Sequence, residues 1–204
     1  MRDPYSTLRP PVDGPNRVTT SELKDAGVVI RGERVRLIPH RVSDSVGMVS
    51  LIDFDRDHLR QFHEPTGNMY RKPLEFARSV AHPDKAFKLR FGIWHDYTVV
   101  GSINLMPLEG NRAQIGYWIG KQHVRKGYAS DALAALSRFA FEQLGYDELQ
   151  AKVDVGNIAS RGVLAKAGFV DSNLIVKEPY LTDSGEIDFQ QMNLYVMQRP
   201  TIEQ

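Results

Sequence analysis

The chain has 204 residues, a formal net charge of +1 and 42% hydrophobic residues, which suits one domain with a sizeable core. So balanced a charge argues against a general polyanion-binding surface such as a DNA-binding face, and the absence of cysteine excludes disulfides, thiolate metal sites and a cysteine nucleophile. No apolar run approaches bilayer length, no signal-peptide apolar segment stands at the N-terminus, and six scattered histidines lack paired metal-ligand spacing; the expectation is a cytoplasmic protein with no membrane partner and no metal.

Residues 1–26 hold Pro4, Pro10, Pro11 and Pro15 among polar residues and read as an N-terminal arm ahead of a domain spanning residues 27–200. In 28–38, Val35 and Leu37 alternate with charge, the pattern of a half-buried strand that Pro39 ends. Ser43 and Asp44 are placed to cap a helix carrying Val46, Val49 and Ile52. Residues 55–71 are irregular and rich in His, Asp, Glu and Gly; 73–81 read as a helix with proline in its first turn. Apolar, β-branched segments at 87–94 and 98–106 flank His95, Asp96 and Tyr97 as a hairpin. Residues 113–120 alternate Ala113, Ile115, Tyr117 and Ile119 against Gln114, Gly116, Trp118 and Gly120, a further strand.

The most informative stretch is 122–145, a short basic loop with a glycine followed by an amphipathic helix. Leu133, Leu136, Ala140 and Leu144 recur at helical spacing, Ala132 and Phe139 widen the stripe, and Gly145 stands where a helix stops. A helix start leaves about four unpaired N–H groups and a partial positive charge, and Gly127 lets a ligand approach the backbone, so this start can bind an anion. Most such turns bind nothing; the segments that follow raise the case. Residues 148–155 alternate as a strand. Gly156-Asn157-Ile158-Ala159-Ser160 then leads into a second helix ending at Gly168-Phe169. Strands at 174–176 and 189–197 close the chain around the polar turn 182–185. The order of pieces predicts an α/β (α+β) fold, a mixed twisted sheet with helices on both faces.

Arg125-Lys126-Gly127-Tyr128-Ala129, Asn157-x-x-Ser160 and Gly168-Phe169, in that order, resemble the signature of the GNAT acyltransferases. The likeness extends to Ile115-Gly116-Tyr117-Trp118-Ile119, similar to that family's fourth strand. It also takes in Asp57-His58-Leu59-Arg60, similar to the first-helix region of the RimJ/RimL-like branch that acetylates ribosomal-protein N-termini. The resemblance implies the GNAT fold, with about six to seven strands and about four helices. It also implies acetyl-CoA as cosubstrate and, as acceptor, the amine of a protein N-terminus or a small molecule. A homodimer is left open.

Carried over residue by residue, the resemblance implies that main-chain N–H groups of Arg125, Lys126, Gly127, Tyr128, Ala129 and Ser130 hold the coenzyme A phosphates, with Val124 first in the loop. It further implies that Trp118, Ile119 and Gly120 pair with the pantetheine arm. Asn157 would bond that arm, and Ser160, near the sulfur, is the catalytic candidate. Read from the residues alone, Asn157 is equally a helix N-cap, and Arg125 and Lys126 are equally solvated charges. Two departures stand out: Val124 replaces Gln or Arg, and Arg125 replaces a common glycine. The base is not given by the pattern. Gln114 stands where many relatives carry glutamate, and an amide accepts no proton at neutral pH; Leu164 replaces the tyrosine used as an acid elsewhere. Deprotonation then falls to water, His63, Glu64 or His123, or to no side chain at all. An α-amine at about 7.7–8.0 is already partly neutral near pH 7, whereas lysine at about 10.4 is not, which favours an α-amino acceptor. A non-catalytic acyl-CoA-binding module and an unrelated phosphate-binding α/β domain are the competing readings; the second leaves the Asn-x-x-Ser helix unexplained.

Overall fold

Period-two burial along the strands and a 3.6-residue stripe on the long helix build a sheet covered on both faces. The computed structural model describes residues 18–62, 65–83, 88–182 and 186–200. Among them eight strands form one sheet: β1 (Ile30–Arg31), β2 (Arg36–Pro39), β3 (Leu89–His95), β4 (Thr98–Leu108), β5 (Arg112–Ile119), β6 (Glu148–Asp154), β7 (Val170–Leu181) and β8 (Ile187–Gln198). Their order is β1-β2-β3-β4-β5-β6-β8-β7, antiparallel throughout except for the β5–β6 pair. The α-helices are α1 (Thr20–Asp25), α2 (Ser45–Phe54), α3 (Arg56–Arg60), α4 (Thr66–Met69), α5 (Pro73–Ala81), α6 (Tyr128–Glu142) and α7 (Ile158–Lys166).

On one face α6 buries Ala132, Leu133, Leu136 and Ala140 in a core shared with Leu37, Phe91, Ile103, Ile115 and Leu149. Each fully buried leucine there stabilises the fold by about 1.5–3 kcal/mol. On the other face Met48, Val49 and Ile52 of α2 and Phe76 of α5 form a second cluster with Trp118. Successive side chains of β5 thus enter different layers, as the alternation predicts.

The sheet has one strand more than the sequence suggests, because residues 28–38 fold as two short strands joined by a turn. That turn is held from far away: the Asp131 carboxylate accepts hydrogen bonds from the amides of Glu33, Arg34 and Val35 at 2.9, 2.7 and 2.9 Å. The segment read as an arm also contributes an element. Thr20–Asp25 is a helix with a Thr19/Glu22 capping box, and it buries Leu23 in the main core. The segment read as irregular contains α3 and α4, and β7 starts earlier than expected, with a register shift between Asp171 and Ile175. Residues 1–17 of the arm, and Asp183, Ser184 and Gly185 of the final turn, lie outside the described residues.

The feature that positions the site is a divergence within the sheet. β5 and β6 pair only at Arg112↔Glu148, Ala113↔Leu149 and Gln114↔Gln150. Beyond that point β5 stays with β4 up to Gly101↔Ile119, while β6 stays with β8 up to Asp154↔Met192. A wedge opens between the second halves of β5 and β6, and backbone polar groups facing it have no strand to pair with.

Candidate active site

The loop that opens α6 stands at the β5 end of the wedge. After a 3₁₀ turn over Lys121–His123 the backbone turns left-handed twice, at Arg125 (φ 60°) and at Gly127 (φ 80°), the α6 N-cap. The amides of Arg125, Lys126, Gly127, Tyr128, Ala129 and Ser130 donate to no described acceptor. A run of unpaired N–H groups with alternating left-handed torsions at a helix start is a concave anion site. The side chains play unequal parts: Val124, Arg125 and Lys126 are exposed, whereas Tyr128 is buried, its ring 4.7 Å from that of His95. Ser130 Oγ donates to Gly127 O at 3.1 Å and tightens the first turn.

Where β5 ends, Trp118 and Ile119 are buried in opposite layers, so only their backbone is available to the wedge. Gly120 N donates back to Val100 O at 2.9 Å. A Cβ on Gly120 would come within 2.7 Å of Asp55 Oδ2, so the residue is glycine here because the C-terminal end of α2 approaches closely. That same Asp55 oxygen accepts from the Lys121 amide at 2.8 Å and fixes where the loop departs.

Across the wedge stands the start of α7. Asn157 is its N-cap, with Oδ1 accepting from Ser160 N at 3.0 Å, so the plain capping role is realised. Its Nδ2 donates to no described group and is free for a ligand. Ser160 Oγ lies 2.7 Å from Tyr117 Oη, which reaches over from β5. Burial pushes the Tyr117 phenol up to about 12, against the opposing pull of its hydrogen bond to Ser160. Tyr117 was missed in the sequence, where it sits in an apolar row with Ile115 and Ile119. Leu164, at the position of the acid used by other branches, is buried in the core.

A cleft of about 360 Å³ lies on the face away from α6, lined by α2, α4, α5 and the strands β3 to β5. It reaches Gln114, Gly116 and Tyr117, so it meets the wedge where the strands part. Its described lining contains no His, Asp or Glu. His123 instead packs beside Gly120 at the loop. Burial and Lys126 hold its imidazole below the ordinary value, Asp55 pulls the other way, and His95 adds to the lowering. His63 and Glu64 lie outside the described residues. Among the described residues no cluster of acidic, His or Cys side chains could hold a metal ion, and no helix is long and apolar enough to cross a membrane.

Comparison with known proteins gives this geometry its context. Residues 34–170 match the family described as "Acetyltransferase (GNAT) domain". The probable N-acetyltransferase YjcK of Bacillus subtilis is 27% identical over 152 residues, covering 69% of this chain and 83% of that protein. Two of the solved structures that share the fold illustrate this. The ribosomal-protein-S5-alanine acetyltransferase of Vibrio fischeri superposes with a TM-score of 0.71 at 15% identity, covering 87% of this chain and 100% of that one. The Salmonella typhimurium acetyltransferase that modifies the N-terminal serine of ribosomal protein L7/L12 gives 0.69 at 19% identity, covering 84% and 99%.

Proposed function

This chain belongs to the GNAT family and is an acetyl-CoA-dependent N-acetyltransferase, and from that premise we propose that its acceptor is a primary α-amine such as a protein N-terminus. The carrying observation is the wedge between β5 and β6, with unpaired loop amides at one end and the Tyr117–Ser160 pair across it. These residues fit the cosubstrate. The amides from Arg125 to Ser130 would take its phosphates, and the unpaired edge of β5 near Trp118, Ile119 and Gly120 would take the amide groups of the pantetheine. Asn157 Nδ2 supplies a further donor. Acetyl-CoA brings an acetyl group activated as a thioester.

The chain's own contribution is proton management and exclusion of water. The protonated Tyr117 can donate to Ser160 Oγ, and Ser160 can then direct its own proton toward the departing thiolate. No described side chain in the cleft can take a proton from the amine, and Gln114 cannot. An amine that is already neutral needs no such group, and an α-amine at about 7.7–8.0 meets that condition near pH 7 where lysine does not. A cytoplasmic location and a protein acceptor belong to the same reading.

The test is mass spectrometry of acceptor peptides after incubation with acetyl-CoA. Acetyl on the α-amine with lysines unmodified is the expected result. Exclusive lysine acetylation would overturn the acceptor assignment. Tight CoA binding with no transfer to any amine would turn the reading to a binding module.

A further inference from the structure

Arg90, on β3, is half-buried and lines the cleft. Its Nη1 donates to Ser79 O at 3.0 Å and to Ser79 Oγ at 3.2 Å, and its Nη2 donates to Tyr70 Oη at 3.0 Å. The guanidinium carbon also lies 5.6 Å from the centre of the Phe76 ring and 6.0 Å from that of Tyr70. All of these partners are neutral. Among the described residues Arg90 has no carboxylate partner, and the described lining of the cleft adds Lys88 but no acid.

A second ionisable neighbour, His40, supplies no opposite charge either. His40 is buried beneath Arg90; burial and the guanidinium charge push its imidazole down to about 3, so it is neutral. Its Nε2 lies 3.0 Å from Ser102 Oγ, which itself donates to Phe91 O at 3.1 Å, so His40 must donate and its Nδ1 is a bare, unpartnered acceptor. A guanidinium partly withdrawn from water is stabilised when an opposite charge meets it. A guanidinium has five donors, and three hydrogen bonds leave the others unspent. Binding α5 and Tyr70 to the sheet would need only hydrogen bonds, which a neutral side chain can make; the charge is surplus to that role.

We propose that Arg90 recognises an anionic group, carboxylate or phosphate, carried by the acceptor. Register gives its distance from the β5 edge of the wedge, where the acetyl group would be handed over, a step that rests on the acetyltransferase reading above. Arg90 pairs with Asn104, and Asn104 with Gly116, so Arg90 stands two strands from the β5 residue next to Tyr117. That is about 10 Å between backbones, less the reach of the side chain. A peptide advances about 3.3–3.6 Å per residue, so the anion falls on the second or third residue of a bound N-terminus, or on the phosphate of a phosphorylated small amine.

The experiment compares four acceptors in a CoA-release assay: a peptide with Glu at position two, its Gln isostere, glucosamine 6-phosphate and glucosamine. The anionic member of a pair is expected to show a kcat/KM about ten- to a hundredfold higher, the scale of one charge-assisted hydrogen-bonded contact. Arg90→Gln should bring the ratio within about threefold, while Arg90→Lys keeps part of it because charge survives. Melting curves check that both variants fold. Which pair responds tells a protein acceptor from a small one. Equal kcat/KM within both pairs in the wild type, or an undiminished ratio in Arg90→Gln, would overturn the proposal. If no acceptor turns over, calorimetric titration of the same Glu and Gln peptides decides it. Tighter, Arg90-dependent binding of the Glu peptide supports the anion site even as the transferase reading falls, and equal binding ends both.

Discussion

Tyr117 Oη and Ser160 Oγ are 2.7 Å apart, joining β5 to α7 across the opening where the sheet divides. The phenol, pushed up to about 12, keeps its proton throughout the neutral range. A phenol that keeps its proton can donate to Ser160, and that arrangement leaves the Ser160 proton free to point into the wedge.

Ser160→Ala is expected to lower kcat by roughly ten- to a hundredfold with little change in the CoA dissociation constant, because the lost donor acts on charge that develops only as the thiolate leaves. Tyr117→Phe should cost about fivefold, the value of one supporting hydrogen bond. The double variant should be no slower than Ser160→Ala alone, since Tyr117 acts through Ser160. Steady-state kinetics on the four proteins read this directly; multiplying effects would mean that the two hydroxyls work separately.

Gly127→Val should abolish measurable CoA binding in calorimetry. The nearest atoms to a new Cβ are those of Arg34 at 3.8 Å, so a Cβ here meets no clash. Its cost to folding comes from the torsion, φ 80°, and amounts to about 1–2 kcal/mol. A folded variant with unchanged CoA affinity would remove the loop from the cofactor site.

Arg125 holds φ 60°, a left-handed conformation that costs a non-glycine residue about 1 kcal/mol or more. Arg125→Gly relieves that strain and pays back part of it in chain entropy. A rise in melting temperature of about 1–3 °C is expected. A fall would show that the arginine side chain itself braces the loop.

His40 predicts a specific acid sensitivity. Its folded value of about 3 lies below the ordinary 6.5, so the unfolded chain takes up a proton that the folded one refuses. The stability this contributes is complete above pH 6.5 and is lost as pH falls toward 3, by at most about 1.4 kcal/mol per pH unit. Urea unfolding at pH 7 and pH 5.5 should differ by about 1 kcal/mol in the wild type and by less in His40→Gln. His123, lowered in the same direction, is controlled by His123→Asn. An unchanged pH slope in His40→Gln would mean that His40 takes up its proton equally in the folded and the unfolded chain.

What the sequence made legible follows range. α6 and β6 announce themselves because each periodic stripe is self-contained, and the loop and the Asn157-x-x-Ser160 helix are local motifs. α1 is six residues long beside a proline-rich segment, and only the Thr19/Glu22 spacing betrays it. The turn between β1 and β2 was illegible because its anchor, Asp131, comes from another helix. Tyr117 was hidden in an apolar row. Arg90 was hidden by the usual habit of assigning a charged strand residue to solvent, when a second helical layer covers that face. The parting of β5 from β6 is a property of two strands 36 positions apart, as Arg112 and Glu148 pair, and no window along the chain contains it.

The same Asp131 sets an order in time. The three amides it receives lie 96 to 98 positions earlier in the chain. A ribosome adding about 5–20 residues per second leaves the Glu33–Val35 turn without its anchor for roughly five to twenty seconds. Until β3 is made β1 and β2 are a short, unsupported ribbon, and such hairpins are marginal in water; the turn itself still waits for Asp131 after β3 has joined. The N-terminal edge of the sheet is therefore completed only after α6 has been made, and closing it is the same event that seats the start of the helix on which the anion loop stands.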